Sequence, residues 1–442
     1  MFRVIRILFL LGLLIAAFVA AEGRAASPTI DVLRVKGTIN PVLVDYIQRG
    51  INQAEKDNAV ACIIQLDTPG GLDTAMRDIV QIILNARVPV VVYVSPSGAR
   101  AASAGVFITI AAHVAAMAPN TAIGAAHPVS IGTGGEQPVS DNTMTEKVVN
   151  DAAAYIRSLA ESHGRNADWA EKAVRESVSA TEQEALKLNI IDMVTPDLDA
   201  LIATLDGRKV TLLDGRTITL STKGAAVNYI DMNTAEDFLY TIANPNIAYI
   251  LLGIAMLGIM VELYSPGLIF PGVVGGICLL LAFYSLGMLP VNWTGVLLII
   301  LAFGLFILEI FVTSFGILAA GGIVSLIVGS LILFKGGPPM YRVDPWLIAT
   351  VIILLTAFVA FVANRVVAAH QHHVTTGREE LVGETAIART PLEPEGTVFC
   401  EGELWSAVSQ SGWVQPGEEV IITEVDGLKL SVVKKELKEV KP

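Results

Sequence analysis

Cysteine is scarce in this 442-residue chain. Cys62, Cys278 and Cys400 stand far apart in stretches of different character, which excludes a disulfide framework and argues against a structural zinc site. Charge is scarce as well. Asp, Glu, Lys and Arg make up 16% of the residues, against roughly 25% in an ordinary globular domain. Hydrophobic residues reach 53% and the mean hydropathy is +0.60, so the chain is neither disordered nor wholly water-soluble. Positive charge is in short supply: 30 Lys and Arg face 42 Asp and Glu, a net −12. No basic field exists to neutralise phosphates, and nucleic acid is excluded as a partner. Neither a phosphate-binding glycine loop nor a ligand cluster is present, so no cofactor and no metal are expected.

What is present falls into four parts. Residues 1–26 read as a signal peptide or N-terminal anchor: Arg3 and Arg6, an apolar run from Ile7 to about Ala20, then small residues. Residues 28–240 have soluble composition, with β-branched runs alternating with helical patterns. Strands are expected at Ile30–Ile39, Val60–Leu66 and Pro89–Ser95, and helices at Pro41–Lys56 and Leu72–Asn85, an α/β domain around a buried sheet.

Composition changes near Asn246. From Ile247 to Phe334 the only charged residues are Glu262 and Glu309. Five apolar stretches, Ile247–Tyr264, Phe270–Leu289, Trp293–Val312, Phe315–Phe334 and Trp346–Val362, are each about long enough to cross a 30 Å hydrocarbon core. A membrane domain of about five spans is therefore expected over 246–364. Its first four helices read as two tandem hairpins. Each has a Glu near the end of one helix, a polar break, and a Gly pair in the next (Gly275-Gly276, Gly321-Gly322) that suits close helix packing. The two glutamates are expected at the headgroup level. His370, His372 and His373 then fall in a juxtamembrane linker. Residues 381–440 show five short strands between Gly and Pro turns, as in a small all-β barrel of the OB type.

Two motifs carry chemistry. Asp67-Thr68-Pro69-Gly70-Gly71 follows a buried strand and precedes a helix, where adjacent backbone N–H groups can hold an oxyanion. Ser103, among Ala101, Ala102, Ala104 and Gly105, follows a strand and opens a helix, with room for a carbonyl to reach its Oγ. A serine nucleophile needs a base. Lys147, near the start of a helix over Thr145–Ser162, and the histidines His113, His127 and His163 are the candidates.

These motifs, with Ala118-Pro119-Asn120-Thr121, Gly164-Arg165-Asn166, Ser179–Leu186 and Ile191-Asp192, resemble the ClpP/crotonase superfamily. More closely, they resemble the membrane-bound serine proteases of the long-form NfeD (nodulation efficiency protein D) family. Glu262–Gly267 in the membrane region and Gly383–Ala386, Leu392–Gly396, Gly402–Ala407 and Pro416-Gly417 in the tail carry the same resemblance. It implies a ClpP-like spiral α/β protease domain, a helical membrane domain and an OB-fold tail. It also implies peptidase activity on hydrophobic segments and stomatin- or flotillin-like (SPFH) proteins as substrates or partners. By the same resemblance the nucleophile falls on Ser103 and the base on Lys147, with Gly70 or Gly71 and Ala104 as oxyanion donors. The ClpP histidine falls at Ala126, one residue short of His127.

The expected function is a membrane-anchored serine endopeptidase with a Ser103–Lys147 dyad, assembled as a homo-oligomer by analogy with ClpP. Its protease domain is expected outside the cytoplasm of a multi-pass plasma-membrane protein and its barrel inside. Arg365 and Arg378 support that orientation; Lys335 and Arg342 oppose it. The alternatives are a non-catalytic scaffold for stomatin-like partners, and an acyl-CoA enzyme of the crotonase type, which export to a CoA-poor compartment disfavours.

Overall fold

The computed structural model describes residues 28–128, 142–334 (apart from Pro266, Pro290, Thr313 and Phe315), 341–371 and 381–435. Residues 1–27, expected above to hold a signal peptide or anchor, and His372, His373, Lys335 and Arg378 lie outside these residues. Two compact units part near residue 359.

The first unit opens with β1 (Thr29–Lys36), α1 (Pro41–Lys56), β2 (Ala61–Asp67), α2 (Asp73–Leu84) and β3 (Val90–Val94). Helix α1 begins where the sequence dictates. Asn40 Oδ1 accepts the Leu43 N–H at 3.1 Å, and Pro41 occupies a position whose missing N–H costs nothing. There follow β4 (Arg100–Ala102), α3 (Ala104–Ile110), β5 (Val114–Met117), β6 (Ala122–Gly124), α4 (Asn142–Ser162), α5 (Ala167–Arg175), β7 (Ser179–Thr181), α6 (Glu182–Lys187), β8 (Met193–Val194), α7 (Leu198–Leu205), β9 (Lys209–Thr211), β10 (Thr217–Thr219), β11 (Ala226–Tyr229) and α8 (Thr234–Ile242).

Six strands form a parallel sheet in the order β11-β1-β2-β3-β5-β8. Alternate residues supply two cores. Leu33, Ile64 and Val92 face one side, and Val32, Ile63 and Val91 face the other. Burial on both faces explains the unbroken β-branched runs. A second sheet, β4-β6-β7, stands beside the first and carries the residues preceding Ser103.

The same unit continues into α9 (Pro245–Tyr264), α10 (Phe270–Met288), α11 (Trp293–Phe311), α12 (Ile317–Leu333) and the first half of α13 (Pro345–Gln371), within which the two units part. Pro245–Tyr264, Phe270–Met288 and Pro345–Val362 are long and apolar enough to cross a membrane; the apolar stretches Trp293–Glu309 and Ile317–Leu333 are shorter. The chain around Gly316, at φ 90°, is spent on turning, which trims α12. Helix α13 runs on past Asn364 to Gln371, so His370 is helical rather than in a linker.

Helices α9–α10 and α11–α12 are hairpins, and the glycines do pack helices together, but the repeat is offset. In the first hairpin Gly275 meets the backbone of Gly258 and Ile259. In the second it is Gly322, the later glycine of its pair, that meets Phe306 and Ala302. The glutamates also diverge. Glu309 accepts the N–H groups of Gly316 and Ala319, each at 3.0 Å, and the Ser314 hydroxyl, so it caps α12. Glu262 packs against Gly272, and its Oε2 is buried without a hydrogen bond among the described residues.

The second unit carries β12 (Thr385–Ala388), β13 (Glu395–Cys400), β14 (Glu403–Ser409), β15 (Glu419–Asp426) and β16 (Lys429–Lys434), closed into a barrel in the order β12-β13-β14-β16-β15. Inward residues such as Ala386, Val398, Ala407, Val420 and Leu430 fill it.

Candidate active site

The end of β2 and the small second sheet build the site together. Thr68 N–H donates to Arg100 O at 2.8 Å, and Ala102 N–H donates to Thr68 O at 3.1 Å, which holds β4 against the Asp67–Gly71 segment. Ser103 follows at φ 51°, ψ −111°, a strained conformation for a residue with a Cβ, and α3 starts at the next residue. A side chain on a sharp strand-to-helix turn is projected away from both elements, as serine nucleophiles require. Ser103 N–H donates to Gly124 O at 3.2 Å. Its Oγ makes no hydrogen bond among the described residues.

The structure separates the oxyanion candidates. Thr68, fully buried, accepts the Gly70 N–H through Oγ1 at 3.0 Å and donates back to Gly70 O at 3.1 Å. The Gly70 amide is therefore occupied. Those of Gly71 and Ala104 have no partner among the described residues; Ala104 is the first residue of α3, whose N–H has no acceptor within the helix.

Ser103, Gly71, Ala104, His127 and Lys147 line one cleft of about 640 Å³. Its apolar wall includes Met76, Phe107, Pro128 and Val148, and its charged wall Asp73, Arg77 and Asp151. Lys147 lies in the second turn of α4, exposed to solvent, between the exposed Met144 and Val148. Farther along, Ala153, Ile156 and Ala160 bury α4 in the core. The first turns thus overhang the cleft rim while the rest of the helix is anchored.

Arg77, which the sequence reading missed, adds to that anchorage. It pairs with Asp73 at 2.9 Å and with Asp151, and its guanidinium lies 4.7 Å from the centre of the Tyr155 ring, which stacks on Phe107 at 6.1 Å. The signal was present in the helical spacing of Lys147, Asp151 and Tyr155, which puts all three on one face. His127 Nδ1 donates to Val174 O at 2.7 Å, which leaves Nε2 as the acceptor nitrogen. His113 and His163 are elsewhere, beside each other and Arg165. Among the described residues no group of three His, Cys, Asp or Glu side chains is placed to hold a metal ion.

Comparison with known proteins gives three family matches in order along the chain. They are the NfeD1b N-terminal domain at residues 29–200, the NfeD integral membrane domain at 246–365, and the NfeD-like C-terminal, partner-binding domain at 378–434. The chain is 38% identical over 433 residues to the membrane-bound protease PH1510 of Pyrococcus horikoshii, covering 96% of this chain and 97% of that protein. It is 30% identical over 450 residues to the membrane protein NfeD1b of Bacillus subtilis, covering 96% of each. Among solved structures, the 1510-N membrane protease specific for a stomatin homolog from Pyrococcus horikoshii is 38% identical. That match covers 49% of this chain and 99% of the other, with a TM-score of 0.42.

Proposed function

This chain belongs to the long-form NfeD family of membrane proteins, and we propose that it is a membrane-anchored serine endopeptidase acting on hydrophobic segments of stomatin- or flotillin-like proteins. The observation that carries the proposal is the convergence in one cleft of a serine on a strained turn, two backbone N–H groups without a partner among the described residues, and a lysine. One of the two relatives that match along 96% of the chain is described as a membrane-bound protease.

Ser103 Oγ attacks the scissile carbonyl carbon while Lys147 Nζ, in its neutral form, takes the hydroxyl proton. Gly71 and Ala104 N–H donate to the resulting oxyanion, where such donors are each worth about 10²–10³ in rate. As the tetrahedral intermediate collapses, Lys147 returns the proton to the departing amine and an acyl-enzyme remains. Water, deprotonated by Lys147, then attacks the ester carbonyl; the acid leaves and Lys147 returns the proton to Ser103 Oγ. Lys147 is exposed in the free chain. An apolar substrate lying between Val148 and Phe107 displaces water from the amine and favours its neutral form. The C-terminal barrel docks the partner that presents the segment. With an odd number of crossings, five when the two shorter apolar helices also span, the protease domain lies outside the cytoplasm and the barrel within it, and the active form is a homo-oligomer.

The solvent exposure of Lys147 and the lack of a hydrogen bond to Ser103 favour the second reading, a scaffold without catalysis. Labelling of the membrane-embedded chain with a fluorophosphonate probe separates the two. Labelling and proteolysis lost in both Ser103→Ala and Lys147→Ala support the enzyme. Proteolysis unchanged in Ser103→Ala overturns it, and loss in His127→Ala but not Lys147→Ala moves the base to His127.

A further inference from the structure

We propose that the membrane helices set the position of the oxyanion donor Gly71, through two contacts, Leu72 and Tyr240. The inference rests on the catalytic reading above and adds positioning residues to it.

Leu72, directly after Gly71, is half-buried and packs on two cores at once. One is the core of the α/β domain; the other is the apolar core of the helical bundle, which includes Phe334, Tyr341 and Val343. The oxyanion segment therefore has the membrane helices as one of its walls. The second route runs through α8. Tyr240, on α8, donates its hydroxyl to Lys36 O at 2.9 Å and lies against Gly37, where a side chain would collide with the phenol oxygen. Gly37 leads into Ile39, and Ile39 straps the oxyanion segment from both ends. Its N–H donates to Gly70 O at 2.9 Å, and its carbonyl accepts the Leu72 N–H at 3.0 Å. Gly71 is pressed so closely on Ile39 that no Cβ fits. A shift of the Lys36–Ile39 segment thus moves Gly71 with it.

Helix α8 is itself held between the two regions. Arg49 of α1 pairs with Glu236 at 2.7 Å, and the Ser285 hydroxyl of α10 donates to Ile242 O at the end of α8. Tyr341 is buried in the bundle core with its hydroxyl unpaired among the described residues. Movement of α10 is carried by α8 to Tyr240, and movement of the bundle core acts on Leu72. Oxyanion catalysis depends on placement to a fraction of an ångström, so bilayer forces on the bundle become changes in turnover rather than in substrate affinity.

The test uses the full chain in vesicles of short-chain and long-chain phosphatidylcholine, which load the helices differently, with a fluorogenic apolar peptide as substrate. The wild-type kcat differs between the two bilayers. Tyr240→Phe, which deletes only the hydroxyl, and Leu72→Ala each lower kcat about tenfold with KM held within about twofold, and each flattens the dependence on the bilayer. Where Leu72→Ala fails to fold, Tyr240→Phe decides. Unchanged kcat in Tyr240→Phe, a rise in KM alone, or a wild-type kcat indifferent to bilayer thickness overturns the inference. Ser103→Ala, run alongside, separates its failure from that of the catalytic reading: proteolysis surviving that variant removes both, whereas proteolysis lost there with unaltered Tyr240→Phe turnover removes this inference alone.

Discussion

Gly70 stands face to face with Ser103: a Cβ on Gly70 would lie 2.7 Å from the serine Cβ and 3.2 Å from its Oγ. The backbone of Gly70 has φ 121°, which L side chains rarely adopt. Gly70→Ala therefore forces Ser103 off its turn. Fluorophosphonate labelling is expected to slow about 10²-fold, while the melting temperature of the membrane-embedded chain drops only modestly. Labelling at the wild-type rate would refute the arrangement.

Arg165 gives a prediction about stability. It is buried, pairs with Asp192 at 2.8 Å, and donates to Ala112 O at 2.8 Å and to Ile110 O. It thus holds the C-terminal end of the helix that Ser103 opens. Burial disfavours its charge, and Asp192, which also accepts from Arg208 at 2.6 Å and from Ala115 N–H at 2.7 Å, sustains it. Arg165→Ala strands part of that network and is expected to cost about 3–5 kcal/mol in denaturant unfolding. Arg165→Lys should recover little, because a single ammonium cannot reach both carbonyls and the carboxylate in the planar geometry of the guanidinium.

Acid should weaken the α/β domain through His113. Burial first, then the charges of His163 and Arg165, push its pKa down to about 4 from the ordinary 6.5. Because the folded value is depressed, the unfolded chain takes up the proton first. Stability is full above pH 6.5 and is lost as pH falls from 6.5 towards 4. The gap amounts to roughly 3 kcal/mol at most. His163, also lowered chiefly by burial, adds in the same direction. Unfolding titrations between pH 4 and 8 should show this slope, and His113→Gln should reduce it. A slope of equal size in His113→Gln would place its origin elsewhere.

The two membrane glutamates should behave differently despite their similar settings in the sequence. Glu309→Ala removes the acceptor for the Gly316 and Ala319 N–H groups and should destabilise the α11–α12 hairpin by about 1–3 kcal/mol. Glu262→Gln, which replaces a buried Oε2 that has no hydrogen bond among the described residues, should lower the melting temperature less or raise it. Equal losses in both variants would contradict the asymmetry.

Local pattern by itself determined a good deal. Asn40-Pro41 specified the start of α1 because a capping oxygen and a fixed φ act within one turn. The β-branched runs at 61–67 and 90–94 specified sheet strands because both faces had to be buried. The motifs around Ser103 and Lys147 were visible as small residues and helix-start chemistry. The five strands of the barrel were separated by their own Gly and Pro turns. Each of these follows from interactions within a few residues, where composition and spacing are sufficient.

Tertiary structure alone decided the rest. Gly70 and Gly71 are equivalent as letters, and it is the Thr68 hydroxyl folded back on Gly70 that occupies one amide while the other has no partner among the described residues. The paired glycines of the two hairpins look like an exact repeat, yet packing selects the first of one pair and the second of the other. Leu72 reads as an ordinary helix-start residue until the membrane bundle closes over it. Hydrogen-bond occupancy, helix register and shared packing are set by partners tens or hundreds of residues away, and a short-range pattern carries no record of which partner arrives.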